Sequence, residues 1–102
     1  ISVNDCFVMN AWGKDIGVDK ITLIPDGNGA LTRQLGMLVD KPAQNLGQRS
    51  WRYSSYIVNG IVKKMFIEPG INNTSADEDP YEESTPEKIL DYVKSLWVKT
   101  LP

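Results

Sequence analysis

Two apolar runs, Arg52 to Val58 and Ile61 to Ile67, flank the dipeptide Asn59-Gly60, and no other pair of residues constrains the fold of this chain as strongly. A two-residue loop between twisted antiparallel strands needs positive φ at both central positions, which Asn followed by Gly accepts at least cost. The spacing predicts a β-hairpin. Extended backbone sends alternate side chains to opposite faces, so Arg52 shares a face with Ser50 and Ser54 while Trp51 and Tyr53 point the other way. An arginine is thereby set on a strand whose other face reads as buried. Its guanidinium stays charged and offers five donors in a planar fork, which suits it to an anion or to an oxygen on which charge develops. That is half of an active site, and the nucleophile it would serve has to come from elsewhere.

The rest of the chain reads by the same local signals. Ile1 to Val3 is the tail of a strand, and Asn4 or Asp5 can cap a helix with Phe7, Val8, Ala11 and Trp12 as its apolar stripe, ended by Gly13 and Gly17. Lys20 to Ile24 is rich in β-branched residues and closes on Pro25-Asp26-Gly27-Asn28-Gly29, so a strand and a turn are expected there. A short helix should carry Leu31, Leu35 and Leu38, followed by a loop from Asp40 to Gln48. Residues 68–83 are acidic and polar, with no element expected. The last helix should open at Ser84, where Ser-Thr-Pro-Glu reads as a capping box, and bury Ile89, Leu90, Val93, Leu96 and Trp97.

Ile1 to Asp5, Phe7 to Gly13, Ile24 to Gly29 (Ile-Pro-Asp-Gly-Asn-Gly), Gly47 to Ser54 and Lys64 to Glu68 (Lys-Met-Phe-Ile-Glu) together resemble the type-five group of peroxiredoxins, in particular its bacterial glutathione-linked branch. The resemblance implies an α/β, thioredoxin-like three-layer fold, with helices covering both faces of a mixed sheet. It also implies a peroxidatic cysteine in a Pro-x-x-x-Thr-x-x-Cys motif that attacks a hydroperoxide. That motif is absent from these residues. The expectation is that residues 1–102 are the C-terminal portion of a single peroxiredoxin domain, its N-terminal part missing, and inactive alone.

By pattern alone a strand arginine is most often solvated or ion-paired. The resemblance reverses that for Arg52, which falls where the family keeps the arginine that contacts the peroxidatic sulfur and the bound peroxide, and it is the expected catalytic residue. Arg49, on the other face, is expected to be structural or surface-exposed. Leu46 matches a position lining the family's apolar approach and is the expected substrate-pocket residue. Cys6, the only thiol, sits where a helix N-terminus favours thiolate, but Asp5 beside it opposes ionisation and the position does not match the peroxidatic site, so a structural or incidental role is expected.

The implied activity is a thiol-dependent peroxidase acting on hydrogen peroxide and alkyl hydroperoxides, with glutathione, glutaredoxin or thioredoxin as reductant and a homodimer at full length. Two rivals stand beside it: a non-catalytic thioredoxin-like binding module using Trp51, Tyr53 and the exposed strand edges, and a redox sensor built on Cys6. Composition narrows the field. A net charge of −2 leaves no basic footprint for nucleic acid, and the apolar runs are too short to cross a bilayer. One cysteine and no histidine allow no internal disulfide and no Cys/His zinc site, so neither metal nor cofactor is expected and a reducing cytoplasm is the expected setting. Asp26-Gly27-Asn28-Gly29 reads as a turn, and the sequons at Asn72 and Asn73 carry meaning only in a secreted protein.

Overall fold

A computed structural model describes residues 1–74 and 79–100. They fall into two compact units, the first made of Ile1–Trp51 with residues 72–74, the second of Arg52–Ile71 with residues 79–100.

In the first unit, helix α1 (Cys6–Ile16) starts where Asp5 accepts a hydrogen bond from the Val8 N–H at 2.8 Å and stops at Gly17, whose φ of 72° only glycine adopts without strain. The turn at Pro25–Gly29 is a turn and also a cap. Asp26 accepts from the N–H and hydroxyl of Thr32 at 2.8 and 2.7 Å, and so holds the first turn of α2 (Ala30–Gln34). Those two Thr32 bonds keep the Asp26 carboxyl below its usual range.

The segment expected as a loop contains a second hairpin. Strand β1 (Leu38–Lys41) pairs antiparallel with β2 (Gly47–Ser50), joined through a short 3-10 turn at Pro42–Gln44 and by Asn45 in the left-handed region. Leu38 therefore belongs to a strand, and α2 ends before it. Lys20 to Ile24 forms no strand among the described residues; the pairing at its end is a parallel bridge between Ser2 and Pro25, in which the Ser2 N–H donates to the Ile24 carbonyl at 3.2 Å and the Asp26 N–H to the Ser2 carbonyl at 2.8 Å. Among the described residues the strands make two two-stranded antiparallel sheets, and the parallel pairing is the isolated Ser2–Pro25 bridge. Val3, Met9, Met37, Val39 and Trp51 form the buried apolar core of this unit. Lys41 is buried with them, which no charge pattern foretells. Its ammonium lies 5.1 Å from the centroid of the Trp51 ring and donates to Asn72 at 2.7 Å, a cation stacked on an aromatic face and hydrogen-bonded.

The second unit is built on the expected hairpin. Strands β3 (Tyr53–Val58) and β4 (Ile61–Ile67) pair antiparallel, and φ values of 50° at Asn59 and 75° at Gly60 are those the turn requires. Ser54, Tyr56, Lys64 and Phe66 share one face, since Ser54 opposes Phe66 and Tyr56 opposes Lys64. Helix α3 (Pro86–Thr100) packs against β3 on that face through Tyr92. Its ring meets Tyr56 and Phe66 edge-on at 6.1 and 6.0 Å, contacts of about 0.5–1.5 kcal/mol each.

The helix begins one residue later than expected. Thr85 accepts from the Lys88 N–H at 3.4 Å with Pro86 as first helical residue, while Ser84 is committed to another partner, so the capping box does not form. Leu90 and Trp97 are exposed, at 53% and 69%, whereas Ile89, Val93 and Leu96 are half-buried. Of the acidic run Asp77 to Asp79, only Asp79 lies within the described residues.

Candidate active site

Arg52 stands where the first unit's chain passes into the second, between Trp51, which is 2% exposed, and Tyr53 at the start of β3. The alternation expected from sequence holds at these two residues: Trp51 is buried and Arg52 exposed. A Trp51 so covered cannot serve the binding-module reading. The Arg52 carbonyl accepts from the Glu68 N–H at 3.2 Å, which carries the β3–β4 ladder one pair beyond Tyr53–Ile67. Its guanidinium donates from Nη1 to the Pro80 carbonyl at 3.2 Å, and Cζ lies 5.1 Å from the centroid of the Tyr81 ring. A carbonyl and an aromatic face both attract a cation without neutralising it. Arg52 is thus oriented, exposed and still charged, the state an anion-binding arginine needs.

Glu68 is the residue that sequence reasoning missed. It is 1% exposed, a burial that a carboxylate reaches only when its lone pairs are met. Its oxygens accept from the N–H groups of Glu82, Glu83 and Ser84 at 2.6–3.1 Å and from the Ser84 hydroxyl at 2.6 Å. Burial works to raise its pKa, but the Ser84 hydroxyl and the three backbone donors together outweigh it and lower the pKa from 4.5 to about 2. The carboxylate ties the chain just past Pro80 and Tyr81 to the end of β4. The only hint in the sequence was Glu68 following an apolar strand directly, a place where a charge is unremarkable.

Arg49 is structural, as expected. Its Nε donates to the Leu46 carbonyl at 2.7 Å, and Nη1 donates to the Val3 carbonyl and the Asn4 side-chain oxygen at 2.7 and 2.8 Å. Leu46 is half-buried between Asn45 and Gly47, both at positive φ, and belongs with Arg49 to the first unit, whereas Arg52 belongs to the second. Cys6 is an exposed free thiol at the start of α1, on a groove of about 520 Å³ that Met9, Val18, Ile21 and Leu23 also line. Among the described residues no three His, Cys, Asp or Glu side chains could hold a metal ion, and no helix is long and apolar enough to cross a membrane.

Residues 1–84 match the redoxin family. A peroxiredoxin of Synechocystis sp. is 51% identical over 94 residues, covering 92% of this chain and 49% of that protein. Among solved structures, the Plasmodium falciparum antioxidant protein, a 1-Cys peroxiredoxin, superposes with a TM-score of 0.81 at 35% identity, over 92% of this chain and 54% of that one. A reduced peroxiredoxin of Vibrio vulnificus in complex with hydrogen peroxide gives 0.80 at 34%, over 94% and 54%. The chain spans about half the length of the curated relatives it matches. With the thioredoxin-like peroxiredoxin fold shared at this identity and most of its length matched, this chain belongs to the redoxin family.

Proposed function

We propose that this chain is the C-terminal portion of a single peroxiredoxin domain of the type-five group, a thiol-dependent peroxidase in which Arg52 is the catalytic residue these 102 residues supply. The observation that carries the reading is the state of Arg52: an exposed guanidinium, oriented by the Pro80 carbonyl and the Tyr81 ring and paired with no carboxylate among the described residues, in a chain whose relatives are peroxiredoxins.

The reaction begins when a peroxidatic thiolate, supplied by sequence outside these residues, bonds to one peroxide oxygen as the O–O bond breaks. The sulfur is oxidised to sulfenic acid and the peroxide is reduced to water or an alcohol, the departing oxygen taking up a proton. A guanidinium beside the sulfur favours thiolate over thiol, and its N–H donors stabilise the charge that grows on the departing oxygen. A thiol then attacks the sulfenic sulfur, releasing water, and a second thiol resolves the mixed disulfide. Glutathione, glutaredoxin or thioredoxin supplies those electrons. Hydrogen peroxide and small alkyl hydroperoxides are the substrates, Leu46 lines their approach, and the protein acts as a homodimer in a reducing cytoplasm.

Coupled peroxide consumption tests the division of labour. The 102-residue chain alone should show no turnover with glutathione and hydrogen peroxide, since removing the nucleophile removes the covalent step. Steady turnover abolished by Cys6→Ser would overturn that and make Cys6 the nucleophile.

A further inference from the structure

We propose that Glu68 is the positioning residue for Arg52, holding the guanidinium in its working orientation through the segment that runs from Pro80 to Ser84. The inference rests on the catalytic role proposed for Arg52, and all of it lies within the second unit.

Glu68 grips Arg52 from two directions. Its backbone N–H binds the Arg52 carbonyl at 3.2 Å, which fixes where the arginine leaves the hairpin. Its side chain fixes what the guanidinium meets. One carboxylate oxygen accepts from the N–H of Glu82 at 2.8 Å and of Glu83 at 3.1 Å; the other accepts from the N–H of Glu83 at 2.9 Å and from the N–H and hydroxyl of Ser84, both at 2.6 Å. Three consecutive backbone donors converging on one buried anion leave residues 82–84 little freedom, and the chain enters that grip directly from Pro80 and Tyr81, the two residues that touch the guanidinium. A simple helix cap would need one acceptor at the helix start, and Thr85 already provides it. The carboxylate therefore does more than begin α3.

Glutamine cannot replace it. Both carboxylate oxygens accept from N–H groups, so an amide would turn its own NH₂ against backbone donors on one side and lose the bonds there. The expected result is a loosened 80–84 segment and an arginine that samples other rotamers.

The test uses the full-length protein that the proposed function implies, labelled with ¹⁵N, and needs no peroxidase chemistry. The Arg52 Nε–H signal, identified by its loss in Arg52→Lys, should carry a ring-current shift from Tyr81. In Glu68→Gln that signal should move to its position in Tyr81→Leu, while the β3–β4 amides stay protected. Ser84→Ala removes one of the five bonds and should give a shift between wild type and Tyr81→Leu; should Glu68→Gln fail to fold, this variant carries the test. An Arg52 signal unchanged in whichever of the two variants fold, with the Glu82, Glu83 and Ser84 amides losing protection, would make Glu68 a local cap and overturn the proposal. Peroxide kinetics of Arg52→Lys report separately on the catalytic role, so either claim can fail while the other stands.

Discussion

Arg49 and Arg52 lie three residues apart, and the account gives them opposite duties, which Arg49→Ala tests most sharply on the structural side. Wild-type Arg49 spans three acceptors: the carbonyls of Leu46 and Val3 and the side-chain oxygen of Asn4. Leu46 and Asn4 are half-buried, so water can replace the lost donor there at small cost, but Val3 is 6% exposed and its carbonyl would be left with an unmet acceptor. An unsatisfied buried acceptor costs about 1–3 kcal/mol, and the two rehydrated bonds add a fraction each, which places Arg49→Ala at about 2–4 kcal/mol. Lysine offers one ammonium where three acceptors lie apart, so Arg49→Lys should lose roughly half as much. Urea unfolding followed by tryptophan emission reads this well, because Trp51 is buried in the same unit while Trp12 and Trp97 are exposed and change little. With a slope of about 1–2 kcal/mol per molar, the midpoint should fall by about 1–4 M for the alanine variant. A midpoint within about 0.3 M of wild type would refute the reasoning, because bonds of that length to a buried carbonyl cannot be lost for so little.

Acid should weaken the second unit through Glu68. Its carboxyl is lowered from 4.5 to about 2, so the folded state binds fewer protons than the unfolded chain between those values; the stabilisation is full above about pH 4.5 and drains away as pH falls toward 2. Glu68→Gln should lower stability at neutral pH and flatten that acid limb, and denaturant midpoints at about pH 6 and pH 3 check both effects. In the first unit, Thr32→Val removes the hydroxyl that Asp26 accepts from, so the Asp26 carboxyl should titrate at higher pH by NMR while its remaining bond to the residue-32 amide persists.

Features whose causes lie within a few residues of one another were legible in the sequence. Asn59-Gly60 announced its hairpin because the turn conformation is a property of those two residues; of the cap and stop residues the sequence offered for α1, Asp5 and Gly17 mark its ends, while Gly13 lies inside it. The β1–β2 hairpin went unread because its turn is spread over Pro42 to Gly47 and relies on Asn45 and Gly47 at positive φ, with no compact dipeptide to mark it. Lys20 to Ile24 has the composition of a strand, yet strand formation needs a partner, and among the described residues only Ser2 offers one. Ser84 looked like a cap because its spacing to Glu87 fits a capping box, but its hydroxyl satisfies Glu68 instead, sixteen positions away in sequence. Burial of Lys41 and Glu68 was hidden for the same reason: each charge is made tolerable by partners such as Asn72 and Ser84 that only the folded chain brings near.

Arg52→Lys, in the full-length peroxiredoxin that the proposed function implies, tests the central claim most directly. Lysine keeps the positive charge but not the planar fork, so it cannot hold a contact to sulfur and to peroxide oxygen together. Stopped-flow measurement of sulfenic acid formation should show the second-order rate with hydrogen peroxide falling by about 100-fold or more, with the fold intact by circular dichroism. A rate within about threefold of wild type, in a variant that folds normally, would contradict the assignment of Arg52 as the catalytic residue of this chain.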